Sequence, residues 1–420
     1  MLLFDAGYLF SQVDETSPVP RERLADLVDE ALVRNPEIIA AIHEMGRAVA
    51  VVPQSGALDD PMLFYEREEM PGFQWNNAEM YRIGLMQTVR FPTKSGGLDD
   101  IAEINAEHAH HDHLERVNDV ILRVKSAYYD LWFLQQAMQL NRETASLLAL
   151  FADAARTRYG AGEGGQQDVL KAMVEAGKVD LRLAEFRQEE QSAKSTLMSL
   201  TDRSYPDTLG VAELEERQRL VVSLDTLQAV ALRNRPLLIH DSLTILERET
   251  MVDLANDEYL PDLLLGIDYI NYSHHQSDAW TIRAGISLPF APWTLKKAGG
   301  RVEEATADLS VSQASLAASR NMVTAAVRDA YLKAQSASQR LVAYEQSLLP
   351  QSRQAFEATL VAYRTGREDF LMLIDSYRTL VELSEESLRI RRDFEKAVAE
   401  LEFTTGLQGV ATTERERGKE

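Results

Sequence analysis

The sequence predicts a mainly α-helical protein with a small β part, in which one architectural unit is written twice. Three observations carry this: the placement of the prolines, two long heptad seams, and two short regions in which apolar and small or polar residues alternate. Seven of the 13 prolines fall between Pro18 and Pro92, and none follows until Pro206. A proline-free gap of that length is a strong helix signal, because proline removes a backbone donor and clashes inside a helix. Pro206, Pro236, Pro261, Pro289 and Pro292 come next, and Pro350 stands alone.

The repeat shows in three stations that recur about 200 residues apart in the same order. Ala31-Leu32-Val33-Arg34-Asn35-Pro36 matches Ala231-Leu232-Arg233-Asn234-Arg235-Pro236, and each reads as a helix interrupted by proline. Val124-Lys125-Ser126-Ala127-Tyr128 matches Val327-Arg328-Asp329-Ala330-Tyr331, and Tyr159-Gly160-Ala161-Gly162 matches Tyr363-Arg364-Thr365-Gly366. Three ordered matches argue for an internal duplication. The expected organisation is an N-terminal extension (1–20), a first repeat (21–203), a linker (204–222), a second repeat (223–407) and a disordered tail (408–420). Strands are expected at about 61–92 and 261–292. Long helices are expected at about 98–160, 166–201, 297–363 and 367–405.

In the first long helix Val117, Val124, Leu131, Met138, Ala145, Ala152 and Tyr159 recur every seven residues, with Val120, Ala127, Leu134, Leu148 and Ala155 between them. Asn141 alone breaks this coiled-coil seam. The second copy is rich in small residues at Ala326, Ala330, Ala334 and Ala337, which lets helices approach closely, and its Pro350 is expected to kink or restart the helix. Periodicity alone also fits a soluble coiled-coil rod. The extended regions do not. Leu263, Leu265, Ile267 and Tyr269 share one face of a strand, and Ile282, Ala284, Ile286 and Leu288 alternate likewise. Trp75, Trp280 and Trp293 lie in or beside these regions with several Tyr and Phe, as in an interfacial aromatic belt or an aromatic-rich sheet core. The run Glu66-Arg67-Glu68-Glu69 is expected to lie partly outside a bilayer. Four strands cannot close a membrane barrel, and open edges are not tolerated in lipid, so a membrane reading makes oligomerisation obligatory.

Composition narrows the function. With 44 Lys plus Arg against 66 Asp plus Glu, the formal charge is −22, which argues against nucleic acid as a partner. The absence of cysteine excludes disulfides, thiolate metal sites, a cysteine nucleophile and an N-terminal lipidated cysteine in the chain as given. The longest apolar stretch without charge, Ala284 to Leu295, is too short for a spanning helix. No signal peptide is evident at the start of the given chain. Neither a phosphate-binding loop, a dinucleotide fingerprint, a His-Glu-x-x-His motif nor a nucleophile elbow occurs, so no enzyme and no cofactor is expected.

From about Leu24 to Gly406 the chain resembles the TolC-like outer-membrane factors. The resemblance rests on Ala31 to Pro36, Phe91-Pro92, Arg158 to Gly162 with Asp168-Val169-Leu170, Tyr259 to Asp262, Ile286 to Phe290, and Tyr363 to Gly366 with Asp375. It implies a homotrimer in which four strands per copy form a 12-stranded transmembrane β-barrel, continued by long coiled-coil helices as a periplasmic α-barrel. The implied function is passive conduction through the outer membrane of a Gram-negative cell in a tripartite efflux system. Its partners are a periplasmic adaptor (membrane fusion protein), an inner-membrane pump of RND or ABC type, and outer-membrane lipid. An outer-membrane factor for type I protein secretion and a soluble coiled-coil scaffold are the competing readings.

The resemblance also places an adaptor-docking tip at Arg158, Tyr159, Gly162, Asp168, Tyr363, Arg364 and Gly366. It places a gate after the second turn, where Asp375 fits a family acidic position and Met372 departs from another, so that Glu368 and Asp369 are the further candidates for gate charge. Separately, His108, His110, His111 and His113 open the first long helix. Spacing puts His108 with His111 and His110 with His113 on shared faces, which suits weak binding of a divalent transition metal in transit, as in relatives that serve heavy-metal efflux, or a plain solvated helix face. His274 and His275 fall in the expected strand-to-strand loop.

Overall fold

The computed structural model describes residues 21–69, 78–162, 164–204, 209–214, 222–272 and 278–407. Trp75, His274, His275, the 1–20 extension, the 408–420 tail and parts of the 204–222 linker lie outside them. In chain order the elements are β1 (Arg21–Glu22), α1 (Leu24–Arg34), α2 (Pro36–Ser55), β2 (Met62–Glu69), β3 (Ala78–Val89), α3 (Pro92–Gly160) and α4 (Gln166–Leu200). There follow β4 (Val211–Ala212), α5 (Leu224–Asn234), α6 (Pro236–Asp257), β5 (Leu263–Tyr272), β6 (Ala279–Ile286), α7 (Pro292–Ala343), α8 (Leu349–Arg364) and α9 (Phe370–Thr405).

The chain divides into two compact units. One comprises the described residues of Met1–Pro36, Val117–Leu227 and Ala326–Glu420, the other Glu37–Arg116 and Gln228–Ala325. Each unit therefore draws segments from both halves of the sequence.

Proline sets the boundaries. Asn35 and Arg235, each before a proline, are extended, with φ −62°, ψ 122° and φ −69°, ψ 122°. The ring of the next residue excludes the helical region there, so α1 stops and α2 begins afresh, and α5 and α6 do the same. Both long helices start earlier than the heptads suggest, at Pro92 and Pro292 rather than near 98 and 297. Proline is pre-set for a first turn, whose N–H groups have no helical partner in any case. Pro350 acts as expected, through a π-helical turn at Tyr344–Leu348 that separates α7 from α8. The wider turn accommodates the missing donor and the ring without ending the helical path.

Most of the expected heptad seam is buried, but Val117 and Ala145 are only half-buried and Tyr159 is half-exposed. Val120, Val124 and Leu131 are fully enclosed, and Leu134, Met138, Leu148, Ala152 and Ala155 are nearly so. Asn141 is buried within the seam, where its side-chain amide donates to the carbonyl of Ala137 at 2.8 Å, back along its own helix. In the second half Val323, Val327, Ala330, Ala334, Ala337 and Leu341 form the enclosed stripe, while Ala326 is only half-buried beside Val327. Ala334 and Ala337 meet Phe394, Ala397 and Val398 of α9, small residues receiving a large ring. Each enclosed Val or Leu contributes about 1.5–3 kcal/mol.

The sheet has the order β2-β3-β5-β6, antiparallel throughout. β2 and β6 stand at its edges. Among the described residues no helix is long and apolar enough to cross a membrane.

A smaller feature ties three segments of the first unit together. β1 and β4 pair in parallel, Arg21 with Val211 and Glu22 with Ala212. Beneath them the Tyr128 hydroxyl lies 2.8 Å from the carbonyl of Glu22 and 2.6 Å from that of Glu213, and it accepts the Glu213 N–H at 2.8 Å. Gln135 brackets the same segment, donating to Gly210 O and accepting from Ala212 N. Arg203 closes it from the side through Glu22 and Glu30. Tyr128→Phe leaves the Glu213 N–H without this acceptor at constant ring volume, an expected loss of about 1–3 kcal/mol. Thermal unfolding of the detergent-purified protein checks it, and an unchanged midpoint denies the hydroxyl any structural part.

Candidate functional site

The sheet sorts its side chains by parity. Register places Leu63, Leu85, Ile267 and Ile282 in one cross-strand row and Tyr65, Ile83, Tyr269 and Trp280 in the next. Seven of these eight are exposed, from 44% at Leu85 to 81% at Ile282, an apolar face that the described chain leaves uncovered. A contiguous exposed apolar patch on a sheet marks a surface for another apolar phase.

The opposite face carries charge. Asp268 on β5 is only 1% exposed. Arg283 Nε lies 2.8 Å from its Oδ1, and Arg82 Nε lies 3.4 Å from its Oδ2. Arg82 also donates to Glu66 at 2.7 Å, and the Arg283 guanidinium lies over the Phe64 ring at 5.5 Å. Gly84 makes room for this packing, since a Cβ there would stand 2.6 Å from both Asp268 Cβ and Phe64 Cζ. At the helix-proximal end, Asp262 accepts from Phe91 N at 3.1 Å and from Lys94 Nζ at 2.8 Å, while its own N–H donates to Ser287 Oγ. Strand ends and the start of α3 are thereby joined.

In the other unit, the turns α3–α4 and α8–α9 have matching geometry. Gly162 has φ +76° and Gly366 φ +70°, and each N–H donates at 3.0 Å to a tyrosine carbonyl three residues back, Tyr159 or Tyr363. Side chains with a Cβ avoid that left-handed region, so glycine ends each helix there. The tyrosines themselves diverge. Tyr363 is buried against Phe370 with Arg158 over its ring at 5.0 Å, whereas Tyr159 is half-exposed. Arg364 and Glu368 are exposed, and Asp168 sits half-buried in the first turn of α4. Asp369 is the N-cap of α9, its Oδ1 accepting from Met372 N at 2.9 Å. Asp375, one turn further on, is largely exposed, with Arg378 at 3.8 Å.

Beneath the turns, Leu148, Phe151, Ala155, Ala172, Tyr363, Phe370, Leu373, Ile374 and Tyr377 form one enclosed cluster joining α3, α4, α8 and α9. Ion pairs unnoticed in the sequence bind α4 to α9 above it. Glu175 accepts from Arg378 at 2.8 Å and from Lys178 at 2.9 Å, and Glu385 accepts from Arg182 Nε at 3.1 Å and from Arg389 at 3.1 Å. Burial alone would raise the Glu175 pKa, but Lys178 and Arg378 together outweigh it and hold the carboxyl below its ordinary range. The available signal was the i, i+3 charge pairing of Glu175 with Lys178 and of Asp375 with Arg378.

The histidines separate as their spacing predicts. His108 and His111 are buried, and His110 and His113 are half-buried. His108 packs on His240 of α6, ring centroids 4.3 Å apart, with Glu247 at 3.7 Å, while His111 lies 3.4 Å from Glu107. Burial, and for His108 also the neighbouring His240, pushes the pKa of His108 down, and burial does the same to His111. Both rings are thus neutral at pH 7. Among the described residues no group of three or more His, Asp or Glu is arranged to hold a metal ion.

Residues 227–407 match the family model described as outer membrane efflux protein. The chain is 25% identical over 270 residues to the cobalt-zinc-cadmium resistance protein CzcC of Cupriavidus metallidurans, the match covering 62% of this chain and 62% of CzcC. The matched part is therefore less than two thirds of that relative's length. It is 21% identical over 415 residues to the outer membrane protein TolC of Vibrio cholerae, covering 93% of this chain and 92% of TolC. The solved structure of CusC, described in connection with transmembrane channel formation, shares the fold with a TM-score of 0.81 at 16% identity, over 95% of this chain and 96% of that one.

Because Glu175 titrates lower when folded than when unfolded, its contribution is complete above the ordinary glutamate pKa of about 4.3 and is lost as pH falls through the depressed folded value. Wild type is expected to exceed Glu175→Gln by about 0.2–1 kcal/mol at pH 6, the gap closing on acidification. Melting midpoints of both proteins between pH 6 and 3 check this, and a gap that ignores pH rejects the pair.

Proposed function

We propose that this chain, an outer membrane efflux factor, is the channel through which a tripartite export system passes its cargo across the outer membrane. The observation that carries the reading is the sheet: an exposed apolar face, a charged opposite face, and two edge strands left open in a single chain. Lipid satisfies the first and a water-filled lumen the second, and only further copies satisfy the third. Three copies give 12 strands, within the size range of membrane barrels. The long helices then continue the passage into the periplasm as a helical tunnel. The repeated element order supports two duplicated halves, 21–203 and 223–407, joined by the 204–222 linker.

The α3–α4 and α8–α9 turns are the periplasmic tip that meets the adaptor, through Arg158, Tyr159, Gly162, Asp168, Tyr363, Arg364 and Gly366. Asp375 supplies the gate charge, since it is exposed and three copies would bring three carboxylates together. Glu368, also exposed, adds to that field, and Asp369 serves mainly as a helix cap. Conduction is passive, and an inner-membrane pump provides the energy. The resemblance to CzcC makes divalent metal ions the first cargo to test. His108, His110, His111 and His113 offer at most pairwise, transient contacts to such ions.

Expressed with an export signal, the protein is expected in the outer-membrane fraction as a detergent-soluble trimer, whereas a monodisperse monomer without detergent overturns the reading in favour of a scaffold. In planar bilayers Asp375→Ala is expected to raise single-channel conductance and weaken block by divalent cations. Conductance and block equal to wild type remove Asp375 from the gate.

A further inference from the structure

Each strand of the sheet contributes a charge to the same face, β2 contributing Glu68 beside Glu66. The order across the strands is Glu66 on β2, Arg82 on β3, Asp268 on β5 and Arg283 on β6, so the sign alternates at every step. Every neighbouring pair is in contact: Glu66 to Arg82 at 2.7 Å, Arg82 to Asp268 at 3.4 Å, and Asp268 to Arg283 at 2.8 Å. Register shows how the row crosses the sheet. Glu66 stands opposite Arg82, but Arg82 stands opposite Ile270 and Asp268 opposite Thr281, so the later two contacts are diagonal. Diagonal neighbours are within reach of long side chains such as arginine.

The row ends with opposite signs on the two open edges. Glu66 on β2 is exposed, and Arg283 on β6 is 39% exposed. A guanidinium carries five N–H donors, and Arg283 donates one to Asp268 at 3.3 Å, with its Nε in ion-pair contact at 2.8 Å. A negative end and a positive end with donors to spare are complementary, and in a closed ring of copies β6 of one meets β2 of the next.

Resting on the channel reading above, we propose that Arg283 pairs with the Glu66 of a second copy, closing the four-charge row into an unbroken belt of alternating charge around the barrel lumen. The belt is incomplete in any single chain. It selects the register in which the copies join, because sliding one edge by a single residue turns Glu66 to the lipid face. The four-residue row has equal numbers of arginines and carboxylates and is neutral in itself, so selection by charge is left to Glu68 on the same face of β2 and to acidic residues elsewhere along the passage. Asp268, held by two arginines, keeps this balance.

The absence of cysteine makes the seam directly testable. The full-length Glu66→Cys/Arg283→Cys variant, purified as a trimer in detergent, is treated with a short bis-maleimide and run on a denaturing gel. Covalent dimers and trimers are expected from the double variant. None is expected from either single variant, nor from Tyr65→Cys/Arg283→Cys, which places its thiols on opposite faces. A trimer that yields no covalent species overturns the seam while leaving the channel standing, and a wild-type chain that never trimerises overturns the channel itself. Asp268→Asn provides a second readout that does not alter the edges: one unbalanced arginine per copy in the lumen is expected to shift the reversal potential in a salt gradient towards anions. An unchanged reversal potential in a conducting Asp268→Asn trimer places the charges outside the conduction path and overturns the belt. Should the double variant fail to assemble, the Asp268→Asn measurement decides.

Discussion

An edge strand of a membrane sheet cannot leave its backbone N–H and C=O groups unpaired, because hydrocarbon offers no substitute for water. On the proposed channel reading that constraint falls on β2 and β6, which bound a sheet only four strands wide. Everything else about the sheet follows the same logic. Its apolar rows need a phase that a single chain does not provide, and its charged rows need water or counter-charge. On that reading the sheet is one part of a larger assembly, and the helices serve that assembly.

The long helices show a complementary economy. α7 is held by a stripe one or two residues wide, Val323 to Leu341, which leaves most of its surface free, whereas α3, with its stripe from Val120 to Ala155, has no exposed residue between Val117 and Met138 and is covered on all sides there. Polar residues lie inside the stripes without disrupting them: Asn141 satisfies itself on Ala137, and Thr144 does so on Leu140. At the helix turns the packing thickens into the aromatic cluster of Phe151, Tyr363, Phe370 and Tyr377, so the turns rest on a firm base. The ion pairs Glu175–Arg378 and Arg182–Glu385 flank that base and couple α4 to α9 through groups that respond to pH and salt.

Much of the fold was legible because proline and period speak plainly. Pro36 and Pro236 fixed the breaks between short helices, Pro350 marked an interruption of the second long helix, and the alternation in Leu263–Ile270 and Ile282–Ile286 gave the strands. Helix starts were misplaced by about five residues, because the apolar period begins only further along while Pro92 and Pro292 already open each helix. The turns were found from their glycines, but the different fates of Tyr159 and Tyr363 were not, since burial depends on a partner helix that the local motif does not name. His240, Glu247 and Arg378 escaped notice for the same reason: each acquires its meaning from a residue more than a hundred positions away or across a helix pair. The charges Glu66, Arg82, Asp268 and Arg283 were visible, and their shared parity was the unused signal.

The strap made by β1 and β4 has a bearing on the order of events during folding. Glu22 and Ala212 are joined across some 190 residues, and the Tyr128 hydroxyl serves both of the segments that carry them. Closing a loop of that size costs more entropy than any local helix contact. A nascent chain can form α3 early, but Arg21–Glu22 has no berth until Gly210–Glu213 has been made. That short strand is thus among the later pieces to settle, and anything that delays Gly210–Glu213 delays it too.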